Sequence, residues 1–236
     1  LIRAYGEQLG KLDGRVEPAD MYMAATRVIM RVVVGLFAEA RDLLPRDNAL
    51  YHLSYGIGGL RETLERTGAG KGAERLRHRA GAWARVLALF RLVYYGSYHQ
   101  ALPVPRYGGN LFEPGDPHSA DPLMRAVAVF EDGSHGPSDA AVLAILNLLC
   151  RSRVKVKQGK SFTWVETPVD FSDLSSEYIG ILYEGLLDYE LKRVRGNDPV
   201  IFLGLGNQPA LDLAALEAMD SRAVRNLVEK MKVGGK

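Results

Sequence analysis

Residues 169–191, VDFSDLSSEYIGILYEGLLDYEL, contain the pattern that most strongly determines the predicted fold. Ser175 is a favourable N-cap residue, and Glu177 falls in the first turn, where the helix dipole stabilises negative charge. Apolar side chains then recur at the spacing of one helix face, at Ile179, Leu182, Tyr183, Leu186 and Leu187. The stretch therefore predicts an amphipathic helix over residues 176–191 whose apolar stripe is buried.

The rest of the chain is also predicted to be mostly helical. Helical periodicity indicates helices over residues 21–44, 73–95 and 138–149, a turn or short helix at 59–66 and a final helix pair within 211–232. Ser138 is the expected cap of the third helix, the Pro- and Gly-rich residues 101–122 form a loop, and residues 200–205 form a short buried strand. We expect a mainly α fold, a multi-helix domain with a small β-hairpin and a short strand. Its two subdomains would be 1–122, with the long loop, and 123–236, with the hairpin and the helix at 176–191.

The predicted hairpin carries the candidate binding site. Val154 and Val156 alternate with Arg153, Lys155 and Lys157, the segment Gln158-Gly159-Lys160 makes the turn, and residues 161–166 return. We expect the valines to pack inward, with the four cations Arg153, Lys155, Lys157 and Lys160 in solvent. Such a ribbon can lie along a phosphate backbone, or its cations can simply protect an exposed edge from aggregation. The basic helix at 73–95 poses the same choice between a DNA contact and a solvated face.

Composition limits the function classes. The chain has 236 residues and a net charge of +2, so any affinity for nucleic acid must come from local patches. The single cysteine, Cys150, excludes an internal disulfide, fits a reducing cytoplasm and lies in an apolar run typical of a buried thiol. No secretory signal pattern is present, and Arg27, Arg31 and Glu39 interrupt the most apolar helix, so no membrane span is expected.

No metal site is predicted. The five histidines show no zinc spacing with one another or with Cys150. Asp116, His118 and Asp121 lie close together in the long loop, but three such groups in one loop are common by chance. We assign no metal ligand.

Four segments resemble, in the same order, large DNA adenine methyltransferases of bacterial defence systems. These are the type IIG restriction-modification enzymes and the DISARM and BREX phage-defence methylases, and the DISARM type is the most similar. The four segments are IMRVVVGLFAEARDLLP at 29–45, YHLSYGIGGLRE at 51–62, YGGNLFEPGDP at 107–117 and IGILYEGLL at 179–187. The resemblance implies a whole enzyme that transfers the methyl group of S-adenosylmethionine to the exocyclic amine of adenine in duplex DNA, after flipping the base out of the stack.

The motifs that such enzymes use for catalysis do not occur in this sequence. Neither the Gly-rich cofactor turn nor the asparagine-proline-proline-aromatic tetrapeptide that holds adenine is present. Gly204 and Gly206 follow an aromatic residue in a pattern similar to the first, but no helix start follows them, so we assign them to a turn. We expect this chain to precede the methyltransferase domain, to contain no catalytic or cofactor-binding residue and not to bind S-adenosylmethionine alone.

Several alternatives remain open from the sequence. In the first, the chain is a region of a DISARM-type methylase, and this region braces the catalytic domain and helps to bind duplex DNA. In the second, it is the corresponding region of a type IIG enzyme. In the third, it is a non-enzymatic helical adaptor for other defence proteins. Gly180 and Gly185 lower helix stability by about 1 kcal/mol each relative to alanine. They therefore indicate close approach by a neighbouring helix, by DNA or by the catalytic domain.

Overall fold

The computed structural model describes residues 1–11, 16–158, 161–189, 191, 198–202 and 210–233. The chain divides into two compact units, Leu1–Leu191 and Lys192–Lys236. Within the described residues the fold is mainly helical with small antiparallel two-stranded sheets, as the sequence predicts. The different boundary expected between residues 122 and 123 stays a prediction.

The first unit contains nine α-helices, two short 3-10 helices (Gly70–Gly72 and Gly133–His135) and two hairpins in its described residues. The helices are α1 Gly6–Gly10, α2 Pro18–Ala40, α3 Ala49–Ser54, α4 Ile57–Gly68, α5 Ala73–Arg77, α6 Gly81–Tyr95, α7 Pro122–Phe130, α8 Asp139–Cys150 and α9 Ser176–Leu187. The strands are β1 Ser97–His99 paired with β2 Leu102–Val104, and β3 Arg151–Gln158 paired with β4 Ser161–Pro168. Helix α8 is capped by the Ser138 side chain, which accepts a hydrogen bond from the Ala141 N–H, as predicted.

The second unit is small. Strands β5 Val200–Phe202 and β6 Ala210–Asp212 pair antiparallel, and helices α10 Leu213–Glu217 and α11 Ser221–Val233 follow. The predicted strand and the final helix pair are therefore present, although the described strand ends at Phe202 and Val200 and Ile201 are half-buried rather than buried. The predicted turn with Gly204 and Gly206 lies outside the described residues.

Helix α2 is the central element of the first unit. Proline occupies its first turn, where no intrahelical N–H bond is lost. Its long apolar face, which includes Ala24, Val28 and Val32, is buried in the core. Of the described helices, α2 is the one long and apolar enough to cross a membrane. Of its most apolar stretch of 18 residues, 56% is buried inside the protein. A core helix meets the same criteria of length and composition.

The buried Arg31 of α2 holds the long loop in place. The Arg31 guanidinium pairs with Glu131, which follows α7, and donates to the carbonyl oxygens of Leu111 (2.6 Å) and Glu113 (2.7 Å). Glu131 also accepts from Arg91 at 2.6 Å and from the Gly115 N–H at 3.0 Å. Since buried charges are tolerated only when paired and hydrogen-bonded, this cluster fixes the course of the long loop across the core.

The prediction of a single helix over residues 73–95 is wrong. It is two helices, α5 and α6, separated at residues 78–80. The N-terminus of α8 produces the break, because the Asp139 N–H donates to the Arg79 carbonyl (2.7 Å) and the Asp139 carboxylate caps α6 by accepting from the Ala82 N–H (2.8 Å). Arg75 and Arg79 therefore do not share one continuous helix face.

Candidate nucleic-acid interface

The β3–β4 hairpin is joined to the helical body at its base. Strand β3 begins directly after α8, and the Val169 N–H donates to the Cys150 carbonyl oxygen at 2.9 Å. Arg151 forms ion pairs with Glu65 of α4 (2.9 Å) and with Glu166 of β4 (3.4 Å). Partial burial raises the pKa of Glu65, but hydrogen bonds from Arg151 and Arg61 and their charges outweigh this, and the pKa lies below its usual value.

The strand register places the predicted cations together on one face. Arg153 lies opposite Glu166, Lys155 opposite Trp164 and Lys157 opposite Phe162. Residues directly opposite in an antiparallel pair project from the same side of the sheet, so this side carries Arg151, Arg153, Lys155 and Lys157 together with two aromatic rings. We call it the cationic face; the opposite face carries no charged residue in the described strands.

The cations of this face differ in what they contact. The Arg153 guanidinium lies 3.5 Å from Glu166, which partly neutralises it. Lys155 places its Nζ 4.9 Å from the centre of the Phe162 ring, a cation–π arrangement. Within the part of the chain that the structure describes, neither Lys155 nor Lys157 forms an ion pair. Lys160, the fourth predicted cation, lies outside the described residues. Lys155 and Lys157 are therefore the cations most available to a phosphate.

The prediction that the valine face packs inward is wrong. Val154 and Val156 are 46% and 44% exposed, and Val165 beside them on the same face is exposed as well. The hairpin meets the helical body only near its base, so neither face is covered by the described residues of the first unit. Alternation of apolar and polar residues indicates a two-faced strand, but it cannot show whether a partner layer exists.

Helix α9 differs in the same way from its prediction. The helix is present and Ser175 occupies its N-cap position, but among the described residues the Ser175 side chain accepts no capping hydrogen bond. Ile179 and Leu186 are half-buried, whereas the other three members of the predicted stripe, Leu182, Tyr183 and Leu187, are exposed. The predicted burial of the stripe is therefore wrong for most of its residues.

The two glycines of α9 face open space. A Cβ atom built at Gly180 or Gly185 would have no atom within 4 Å among the described residues. The expected close packing against a neighbouring helix is therefore not found there. Helix α9 is instead held by two hydrogen bonds, from the Tyr22 hydroxyl to the Leu186 carbonyl (2.7 Å) and, just before the helix, from Arg41 to the Leu174 carbonyl (3.1 Å).

The remaining sequence candidates have structural roles. Asp116 accepts from the His118 N–H at 2.8 Å, and Asp121 caps α7 through the Leu123 N–H at 2.9 Å. In the described ranges, no three metal-ligating side chains come together. Cys150 is buried, as predicted, and burial raises its pKa although Arg61 beside it acts in the opposite direction.

Phe162 and Trp164 are the residues of this surface that the sequence reading missed. Both side chains are exposed, at 60% and 64%, and each lies directly opposite a lysine on the neighbouring strand. The three-residue turn expected at 158–160 would pair Lys157 with Ser161, whereas the observed pairing of Gln158 with Ser161 places Lys157 opposite Phe162 and Lys155 opposite Trp164. Comparison with family models, with curated proteins and with solved structures finds no match to this chain.

Proposed function

We propose that this chain is the helical, DNA-holding region of an S-adenosylmethionine-dependent DNA adenine-N6 methyltransferase of a bacterial antiphage defence system, most similar to the DISARM type. The complete enzyme transfers a methyl group to adenine in duplex DNA in the cytoplasm. The region braces the catalytic domain and contacts DNA through the β3–β4 hairpin. Methyl transfer and the cofactor rest on the sequence resemblance.

The spatial arrangement of the four resembling segments supports treating them as one resemblance. The first segment forms the C-terminal part of helix α2, and the other three contact this helix. Arg31 holds the YGGNLFEPGDP loop through the Leu111 and Glu113 carbonyls, and Glu39 holds the YHLSYGIGGLRE segment through Tyr51. Tyr22 binds the backbone of α9 at Leu186. Segments that depend on one another in this way favour a shared structural unit, and their polar residues support a bracing role rather than a chemical one.

The segregation of charge on the hairpin is the observation that carries the DNA contact. The cationic face presents four basic residues against one carboxylate, Glu166, and Lys155 and Lys157 are exposed. A row of cations on a ribbon can neutralise several phosphates and release condensed counterions. Contacts of this kind position DNA without reading its sequence.

The DNA contact is tested by replacing both Lys155 and Lys157 with alanine and measuring duplex affinity over a range of salt concentrations. Affinity should fall similarly for all sequences, and the slope of log K against log salt should decrease by about 1 per lost contact. Lys11→Ala with Arg46→Ala is the matched control, since it removes two exposed cations elsewhere on the first unit. Equal affinity and an equal slope in both variants would contradict the proposal.

Methyl transfer is tested separately on the complete gene product. Expression in a host without adenine methylation should produce N6-methyladenine at one recurring sequence. A genome without modified adenine, from a protein that is folded and binds S-adenosylmethionine, would contradict the enzymatic part of the proposal.

The exposed side of α9 favours one second candidate, a helical adaptor for another defence protein. Tyr178, Ile181 and Leu187 are large apolar residues in solvent. Such a surface suits docking to a protein partner, which is the catalytic domain in the first proposal and a separate protein in the second. Ile181→Asp should abolish methylation in the first case and only complex formation in the second.

A further inference from the structure

We infer that the cationic face of the β3–β4 hairpin binds unpaired DNA, with Phe162 and Trp164 stacking on bases and Lys155 and Lys157 contacting the adjoining phosphates. The inference rests on the proposed DNA contact of this hairpin and names the form of DNA that it takes. It goes beyond a contact with the duplex backbone, for which the lysines alone would be enough.

The exposure of the two rings is the first reason. Trp164 is 64% exposed, whereas the other tryptophan, Trp83, is 1% exposed and donates its indole N–H to the Phe130 carbonyl at 2.9 Å. An exposed aromatic ring loses the stabilisation that burial of its apolar surface would contribute. Trp164 and Phe162 contribute little to the core of the first unit, so their apolar surface is available to a ligand.

The spacing of the rings is the second reason. Residues two apart on a strand are separated by about 6.8 Å, and their side chains project from the same face. This is about twice the 3.4 Å rise between stacked bases. One unstacked base therefore fits between two such rings, or successive bases of an extended strand can each lie on one ring. Aromatic platforms of this kind bind single strands with little sequence preference, because every base has a π-face.

The cross-strand pairs place a cation beside each ring, which is the third reason. Lys155 is paired with Trp164 and Lys157 with Phe162. A nucleotide whose base stacks on one ring thus has an ammonium group within reach of its phosphate. The Lys155 ammonium already lies 4.9 Å from the Phe162 ring centre, so cation and ring form one compact surface.

Duplex DNA would make fewer contacts with this surface than unpaired DNA. Its bases are stacked on one another, so the rings find no free base face and the contacts come from the cations alone. An enzyme that flips a base leaves unpaired nucleotides at its target, and the hairpin would bind a base that is no longer stacked in the duplex.

The tryptophan content provides a direct test. The chain contains two tryptophans, and because Trp83 is buried, changes in fluorescence on adding DNA report on Trp164. Titration with a thymidine oligonucleotide should quench this signal and protect it from iodide. Because the variants at this position lose that signal, their affinities are measured by the anisotropy of a labelled oligonucleotide. Trp164→Ala should weaken single-strand binding at least about 5-fold, in line with the effect of removing one stacking platform. Trp164→Phe retains a ring and should keep most of the affinity, and neither variant should change duplex binding more than about 2-fold, since the rings do not contact stacked bases.

The outcomes separate this inference from the function on which it rests. Loss of single-strand binding in Trp164→Ala, with rescue in Trp164→Phe, supports the inference. If duplex and single strand bind equally and only the change of both lysines to alanine weakens them, the stacking inference is overturned and the backbone contact stands. If wild-type chain binds neither form of DNA, both are overturned. Thermal unfolding of each variant confirms that the exposed substitutions leave the fold intact.

Discussion

The Glu39 carboxylate accepts a hydrogen bond from the Tyr51 hydroxyl at 2.9 Å, and both groups are buried. The same carboxylate accepts from the backbone N–H groups of Ile57 (2.6 Å) and Gly58 (3.1 Å), the first residues of α4. Glu39 thus caps a helix that begins 18 residues later in the chain. Burial, and then the charge and hydrogen bond of Glu39, raise the pKa of Tyr51 above its usual value. Helices α2, α3 and α4 are joined at this point.

Replacing Glu39 should therefore be strongly destabilising. Glu39→Ala leaves the Tyr51 hydroxyl and two N–H groups of α4 without their acceptor, and the free energy of unfolding should fall by about 2–5 kcal/mol. Tyr51→Phe removes one hydrogen bond and should cost about 1 kcal/mol. Urea denaturation measures both. The control is Glu7→Ala, whose exposed side chain pairs, among the described residues, only with Lys11 just after α1 and should change stability by less than about 0.5 kcal/mol. Equal effects at Glu7 and Glu39 would show that the cap contributes nothing.

Local sequence signals account for part of this structure. The position of Ser138 before an apolar run predicts α8 and its cap, and alternation about Gly159 predicts the β3–β4 hairpin, because both depend on neighbouring residues. The caps of α4 and α6 come instead from Glu39 and Asp139, and no local pattern identifies these distant partners. In the same way, periodicity finds the apolar face of a helix or strand but not whether another element covers it.

The glycines of α9 provide a second prediction, opposite in sign to that of a packed helix. Because a Cβ at Gly180 or Gly185 would meet open space, alanine at either position should stabilise the chain by about 0.5–1 kcal/mol through the lower entropy of the unfolded state. Gly59→Ala, within α4, is the matched control, since its Cβ would overlap the His52 carbonyl oxygen, and it should destabilise. Destabilisation at Gly180 would indicate a close contact that the described residues do not provide.

The buried ion pair between Arg31 and Glu131 provides a third prediction. Arg31→Met retains an apolar side chain but leaves two loop carbonyls without their donor and removes one of the two cations that pair with the buried Glu131, and it should lower the free energy of unfolding by about 3–5 kcal/mol. The long loop should then become more sensitive to proteolysis, because Arg31 fixes it at Leu111 and Glu113. Arg75→Met, at an exposed position on α5, should change neither property. Wild-type protease resistance in Arg31→Met would mean that other contacts determine the course of the loop.

The single cysteine provides a fourth prediction, which tests the packing between α8 and α4. Cys150 is buried, and burial raises its pKa despite the nearby Arg61, so the reactive thiolate is both inaccessible and scarce at neutral pH. Ellman's reagent should react with the native chain many times more slowly than with the chain in urea.

The control places a thiol nearby on the same helix: Leu148→Cys in a Cys150→Ala background should react rapidly, since Leu148 is 82% exposed. If native Cys150 reacts as fast as this control, the last turn of α8 does not pack as described. If it reacts slowly, its rate measures how often the end of α8, where the hairpin begins, opens to solvent.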